Sequence, residues 1–240
     1  MNRPIILLHG GWHGGWCWRL VADQLAAAGH RVYTPTLTGL GERAHLFTPE
    51  LGIDTHVKDL QAVIQFERLY DVVLVGHSYG GVITTLVADA DPERIAALVY
   101  VDAMVPEDGC SDWDRFPEER REAMRVHAAS LGGDRVPVPD PALWRVEDPV
   151  HLEWLHDCCT PHPLRPIQQA PSLTSRWLQV KHKLYILASD RPDPRFAGFH
   201  RRFSSEPSWE TAEIHGGHEL MLSHPDELSS LVLAAARQLN

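Results

Sequence analysis

The chain reads as an α/β protein, a mostly parallel sheet covered by helices and broken by a helical cap insertion. Three observations predict this. Short apolar, β-rich runs alternate with helical periodicity through the first hundred residues. Two of those runs, residues 72–75 and 97–101, are almost wholly apolar, as strands buried on both faces of a parallel sheet are. The rhythm then stops between residue 106 and about residue 181, and resumes afterwards.

Each element follows from its own residues. Ile5-Ile6-Leu7-Leu8 is the first strand. Residues 18–28 carry Leu20, Val21, Leu25 and Ala28 on one helical face, with Gly29 as the stop. Residues 31–33 form a second strand ending before Pro35, and 55–69, with Val57, Leu60, Val63, Ile64 and Leu69, a second helix. The strand at 72–75 runs into a helix that starts at Gly81 and continues over 84–90, followed by the strand at 97–101. This βαβαβαβ order implies parallel strands. Residues 106–181 are rich in proline and carry Trp113, Trp144, Trp154 and Trp177 but no clear strand. A charged helix is expected over 117–129, its Glu118-Glu119-Arg120-Arg121-Glu122 run being a solvated face. A turn follows at residues 137–141. Strands return at 184–187 and near 209–214, and a closing helix covers 226–238 with Pro225 at its start and acids in its first turn. The expected organisation is one domain over 1–240 with the 106–181 cap inside it, placed where insertions cover a site.

Composition narrows the partners. An apolar share of 44% and a charged share of 22% are globular values, which excludes disorder and collagen-like repeats. Lys+Arg minus Asp+Glu is 22 − 32 = −10, a balance that repels nucleic acid and anionic membranes. A small-molecule substrate is the expected partner, and a homo-oligomer is compatible with the sequence. No apolar run approaches the ~18 residues of a membrane span. The four cysteines make no disulfide framework, and residues 1–9 lack a signal-peptide pattern, so a cytoplasmic location is expected.

Three motifs carry chemistry. In Val72-Val73-Leu74-Val75-Gly76-His77-Ser78-Tyr79-Gly80-Gly81 a buried strand meets G-x-S-x-G and then a helix, the turn that lifts a serine hydroxyl clear of the backbone. In His9-Gly10-Gly11-Trp12-His13-Gly14-Gly15-Trp16 glycine pairs leave backbone N–H groups approachable, and Gly11 with Tyr79 would form an oxyanion hole. In Gly216-Gly217-His218-Glu219, His218 is the candidate base that takes the Ser78 proton, with His215 its competitor nearer the strand end. Two acids at strand ends, Asp102 and Asp190, satisfy the order serine, acid, histidine. Trp12, Trp113, Trp144 and Trp154, with Phe116 and Trp177, would line an aromatic pocket or else only pack the insertion onto the sheet. His151, His156, Cys158, Cys159 and His162 are rich in ligand atoms but lack a zinc spacing, so no metal and no cofactor is expected.

On these motifs the chain resembles an α/β-hydrolase over essentially its whole length. More narrowly it resembles the small esterase branch of plant methyl esterases and hydroxynitrile lyases. Bacterial carbamate- and ester-degrading relatives share a segment similar to Thr38-Gly39-Leu40-Gly41-Glu42-Arg43. The resemblance implies an acid after the next-to-last strand, at Asp190 or Asp193, yet the 190–194 loop is shortened against that pattern. Tyr100-Val101-Asp102-Ala103 is similar instead to haloalkane dehalogenases, whose acid follows the earlier strand; Asp102 is therefore favoured and Asp190 is the alternative. Hydroxynitrile lyases carry lysine after the histidine, where this chain has Glu219. The implied function is a serine hydrolase that cleaves an ester, or a carbamate- or amide-like acyl bond, of a small apolar or aromatic substrate. A lyase, a cofactor-free oxygenase or a ligand receptor on the same scaffold is the alternative.

Overall fold

A computed structural model describes residues 2–190 and 193–237. Six strands, β1 (Ile5–Leu8), β2 (Val32–Tyr33), β3 (Val72–His77), β4 (Ile95–Val101), β7 (His182–Ala188) and β8 (Glu210–Ile214), form one sheet in the order β2-β1-β3-β4-β7-β8. Every neighbouring pair in it is parallel. This is the helix-covered parallel sheet that the alternation of strands and helices predicts, and it accords with the fold that the resemblance implies.

The pleat sorts the apolar residues into two cores. Ile5, Leu7, Val73, Val75, Val99 and Ile186 share one buried cluster with Val21 and Leu25 of α1 (Arg19–Ala27). Leu228 and Val232 of α9 (Pro225–Arg237) complete it. Ile6, Leu8, Leu74, Leu98 and Tyr185 face the other way. They meet Leu60 and Ile64 of α2 (Ile53–Phe66), Ile83 and Val87 of α3 (Gly80–Ala90), and Phe196, Phe199 and Phe203 of α7 (Pro194–Phe203). Both faces of the central strands are covered, so those strands can be apolar without alternation.

The excursion between β4 and β7 holds α4 (Glu118–Ala129), β5 (Arg135–Val136), α5 (Pro149–Cys158), β6 (His162–Pro163) and α6 (Leu164–Gln168). The expectation of no strand there is corrected: β5 and β6 pair antiparallel, Val136 opposite His162. Two-residue strands leave no periodicity to read. The first helix begins one residue later than expected, after a 3₁₀ turn over Gly15–Trp18. The second ends at Phe66 rather than 69, because Arg68 turns left-handed at φ +53° and Leu69 folds back to donate to the Ile64 carbonyl. Leu69 is thus the buried apolar residue of a helix stop, not a residue of the helix. The helix α7 and the short α8 (Leu220–Ser223) have no counterpart in the expected elements. The last residue of the expected closing helix, 238, and the Arg191-Pro192 part of the loop read as shortened lie outside the described residues.

Candidate active site

Ser78 occupies the turn between β3 and α3 with φ +51°, a left-handed conformation that costs a non-glycine residue about 1–2 kcal/mol. The surroundings hold it there. Its N–H donates to the Val101 carbonyl (3.3 Å), and its own carbonyl accepts from Met104 N–H (3.0 Å) and Gly81 N–H (3.1 Å). Gly80 permits the helix to start this close to β1, since a Cβ there would lie 2.6 Å from the His9 carbonyl oxygen.

Asp102 follows the last residue of β4, also left-handed at φ +42°. Its N–H donates to Ile186 O (2.7 Å) and its Oδ1 accepts from Ala188 N–H (3.2 Å). Its Oδ2 lies 2.6 Å from His218 Nδ1. With the carboxylate charged, Nδ1–H donates and the lone pair is left on Nε2. The His218 ring stacks on Phe196, centroids 5.3 Å apart and planes within 7°. Its backbone is held at both ends, N–H to Trp144 O (3.1 Å) and carbonyl accepting from His77 Nε2 (3.0 Å). Burial alone would depress the imidazole, but the hydrogen bond to Asp102 and the Asp102 charge outweigh it, aided by the Glu219 and Asp193 charges, and raise it above its usual range.

Ser78, Asp102 and His218 open onto one cavity of about 620 Å³, which Gly11 and Tyr79 also line. Trp12, Met104, Phe116, Met124, Trp144 and Phe196 supply much of its apolar wall. A shallower groove of about 560 Å³ lies at the β2–α2 edge, lined by Tyr33, Asp59 and Phe66, away from these groups.

Buried histidines that no sequence spacing singles out brace this region. His56 donates from Nε2 to Thr38 O and accepts the Tyr79 hydroxyl at Nδ1, and burial lowers it to about 4. His9 donates from Nδ1 to Gly10 O and accepts Leu37 N–H, and burial lowers it to about 3. His13 donates from Nδ1 to Gly11 O (2.6 Å), and its Nε2 lies 3.4 Å from Oε2 of the fully buried Glu219. His77, held neutral by burial, grips the His218 backbone.

Other candidates lie elsewhere. Asp190 is partly exposed beside Arg145 (3.6 Å) and His215 (3.9 Å), and the His215 side chain is 85% exposed. Asp193 caps α7 and pairs with Arg195 (2.7 Å). Of the tryptophans expected in the pocket, Trp12 and Trp144 line the cavity, whereas Trp113 and Trp154 are not among its lining residues. Trp113 packs inside the cap with Met124 and Val136, and Trp154 packs on Trp16 (5.2 Å) under the Arg19 guanidinium. Trp177 packs on Trp209 in the sheet core, while Phe116 reaches the cavity. The His and Cys residues of the cap do not converge. Among the described residues, the group whose ligand atoms lie within 4.8 Å of one another is His77, His218 and Glu219, two of them already engaged with Asp102 and the His218 backbone.

A model of the alpha/beta hydrolase family matches residues 5–231. A carbendazim hydrolyzing esterase from Nocardioides sp. (strain SG-4G) is 38% identical over 238 residues, 95% of this chain and 98% of that protein. Methylesterase 9 of Arabidopsis thaliana is 37% identical over 252 positions, 98% of each chain. Among solved structures, an extracellular alpha/beta-hydrolase from a Paenibacillus species, described as sharing structural and functional homology with tobacco salicylic acid binding protein 2, superposes with a TM-score of 0.85 at 25% identity. That match covers 98% of this chain and 100% of the other.

Proposed function

The chain belongs to the alpha/beta hydrolase family, and from that premise we propose that it is a serine esterase with Ser78 as nucleophile, His218 as base and Asp102 as orienting acid. One observation carries the reading: His218 Nδ1 bonds Asp102 Oδ2 at 2.6 Å, which leaves Nε2 to serve a cavity where Ser78 stands at a left-handed turn. The esterase and methylesterase names of full-length relatives support the reaction class.

The chemistry then runs in two halves. Ser78 Oγ attacks the acyl carbon while its proton passes to His218 Nε2. The Gly11 and Tyr79 N–H groups hold the oxyanion, and Asp102 stabilises the imidazolium. The imidazolium returns its proton to the leaving alkoxide, and the acyl group stays on Ser78. Water then attacks the acyl-enzyme, gives its proton to His218, and Ser78 is released with its proton restored. The cavity volume suits a small ligand, and Trp12, Phe116, Trp144 and Phe196 suit an apolar or aromatic one. Glu219 faces His13 rather than lining the cavity, so nothing at that position supplies the cation of the lyase reading.

The test is turnover of p-nitrophenyl acetate and a methyl arylacetate, with mass-spectrometric detection of a phosphonate adduct. Ser78→Ala is expected to lose turnover by a factor of order 10⁶ and to lose the adduct. Undiminished turnover in that variant, or tight binding with no turnover by the unaltered chain, overturns the reading, the second outcome favouring a receptor.

A further inference from the structure

Two successive carbonyls of the loop after β1 are each gripped by a buried imidazole. His9 Nδ1 donates to Gly10 O (2.8 Å) and His13 Nδ1 to Gly11 O (2.6 Å). The C=O and N–H of a trans peptide point in opposite directions, so the first grip aims the Gly11 N–H assigned to the oxyanion. The second fixes the peptide leading into Trp12, which is left-handed at φ +66° and holds that conformation only because its surroundings enforce it. The two imidazoles differ at their other nitrogen. His9 Nε2 accepts the Leu37 N–H (3.0 Å), which completes its bonding. His13 Nε2 instead faces Oε2 of Glu219 at 3.4 Å. Among the described residues, neither that nitrogen nor either Glu219 carboxyl oxygen completes a hydrogen bond. His13 is 1% exposed and Glu219 is fully buried, and the two atoms are too close for a water in line between them.

Counting protons decides what this contact is. A carbonyl only accepts, so the bond to Gly11 O places a hydrogen on His13 Nδ1. A neutral His13 then turns a lone pair toward Oε2, and an ionised Glu219 has only lone pairs to return. Facing lone pairs repel, and the low dielectric of a buried site magnifies the repulsion. One added proton removes the conflict. An imidazolium then donates to a carboxylate, or a carboxylic acid donates to an imidazole, and the pair is neutral overall in both forms. The neighbours do not supply that hydrogen. Trp16 stacks its ring on His13 (5.5 Å between centroids), and its own Nε1 has no partner among the described residues. His77, kept neutral by burial, spends its N–H on His218 O. The Cys17 and Cys159 thiols, raised by burial and then by negative charge at Glu219, stay protonated and add no charge. The pair also joins two loops. Glu219 directly follows His218 and starts α8, its carbonyl accepting from the Leu222 and Ser223 N–H groups (3.0 Å each), whereas His13 lies in the loop that carries Gly11.

We propose that His13 and Glu219 share one buried proton and act as a positioning pair, holding the Gly11 loop in register with the His218 loop. This rests on the esterase reading of the cavity, since that register matters where an oxyanion donor and a base serve the same acyl carbon.

The test has two arms, both on the full chain. In the first, nitrogen NMR of labelled histidines near neutral pH, without substrate, reads the ring of His13, identified by its loss in His13→Gln. A hydrogen on Nδ1 and a hydrogen-bonded proton at Nε2 are expected. A His13 Nε2 lone pair with no proton against it overturns the proposal, and this arm decides even where a Glu219 variant does not fold. In the second, p-nitrophenyl acetate turnover is measured. Glu219→Met fills the space without a polar atom and is expected to lower kcat about tenfold with KM within about twofold, because a misplaced donor fails the oxyanion rather than the bound ester. Glu219→Gln, whose amide N–H meets the His13 lone pair without a shared proton, is expected to recover most of that loss. Equal losses in the two variants, a loss on KM alone, or no loss in Glu219→Met overturns the proposal. Because the nitrogen spectrum needs no turnover, failure of the esterase reading, no hydrolysis by the unaltered chain, is seen separately.

Discussion

The carboxylate of residue 102 does two things at once. Oδ1 accepts the Ala188 N–H and Oδ2 the His218 ring, so the group that orients the proposed base is itself tied to β7. Asp102→Asn would keep the shape and remove the charge. Asp102 raises the His218 imidazole, and the proposed mechanism needs that imidazole neutral. Without the charge the imidazole falls toward or below its ordinary value of about 6.5, so the acidic limb of kcat/KM moves to lower pH. The plateau is expected to drop by about 10⁴-fold through the wrong tautomer. Asp190→Asn, on a surface side chain beside Arg145, should leave the profile within about twofold. A pH–rate profile of each variant checks both statements. In the sequence both acids end strands, and only the resemblance around Tyr100-Val101-Asp102-Ala103 and the short 190–194 loop favour Asp102; what separates them is which strand end the His218 loop reaches, a three-dimensional fact no local spacing encodes.

The β3–turn–α3 unit was legible because its chemistry is local: an apolar strand, glycines at the crowding points and a serine between them. Its tolerance to substitution follows from the same crowding. A methyl group at Gly80 would meet backbone of β1, with Leu8 O at 2.8 Å as well as His9 O at 2.6 Å, and backbone cannot rotate aside. Gly80→Ala should therefore destabilise by about 2–3 kcal/mol. Gly198, within α7, has nothing within 4 Å of its Cβ direction, and Gly198→Ala should stabilise by about 0.5–1 kcal/mol. Urea denaturation of the two variants tests the opposite signs. The α7 helix also shows what a strand-centred reading passes over. Asp193 caps it, Pro194 is its first residue, and Phe196, Phe199 and Phe203 fall on one face. Those signals were present, but they sit beside a loop read for its acids. The β5–β6 pair, by contrast, left no signal at all: two residues per strand carry no period.

Over the whole molecule, burying histidines has a cost in acid. His9, His56, His77 and His162 are held neutral, His9 at about 3 and His56 at about 4. Folded values below the unfolded 6.5 mean that the unfolded chain binds more protons, so stability is full above pH 6.5 and is lost as pH falls toward 4. Each such histidine removes roughly 1 kcal/mol per pH unit in that window. His218 acts oppositely: its raised value contributes stability below 6.5 that disappears as pH rises through the folded value, but it is one group against four. Scanning calorimetry should show Tm falling steeply between pH 6.5 and 5, and a flat Tm there would contradict the neutral assignment. The layered architecture was readable from the alternation of runs. The histidine cage was not, because its members come from residues 9 to 162 and meet only after the sheet has formed.

The long excursion leaves and rejoins the sheet at adjacent strands, Ala97 beside His182 through Val101 beside Ile186. Its ends are pinned together whatever lies between them, and doubling the length of a flexible segment so anchored adds only about 0.6 kcal/mol of closure entropy. A different segment could therefore be spliced between the same two strands as a cassette and present other side chains to the cavity, while Ser78, Asp102 and His218 keep their places on the sheet. Such a segment would still have to supply the carbonyl by which Trp144 now receives the backbone N–H of His218 and an N–H like that of Thr160, which donates to the Trp12 carbonyl.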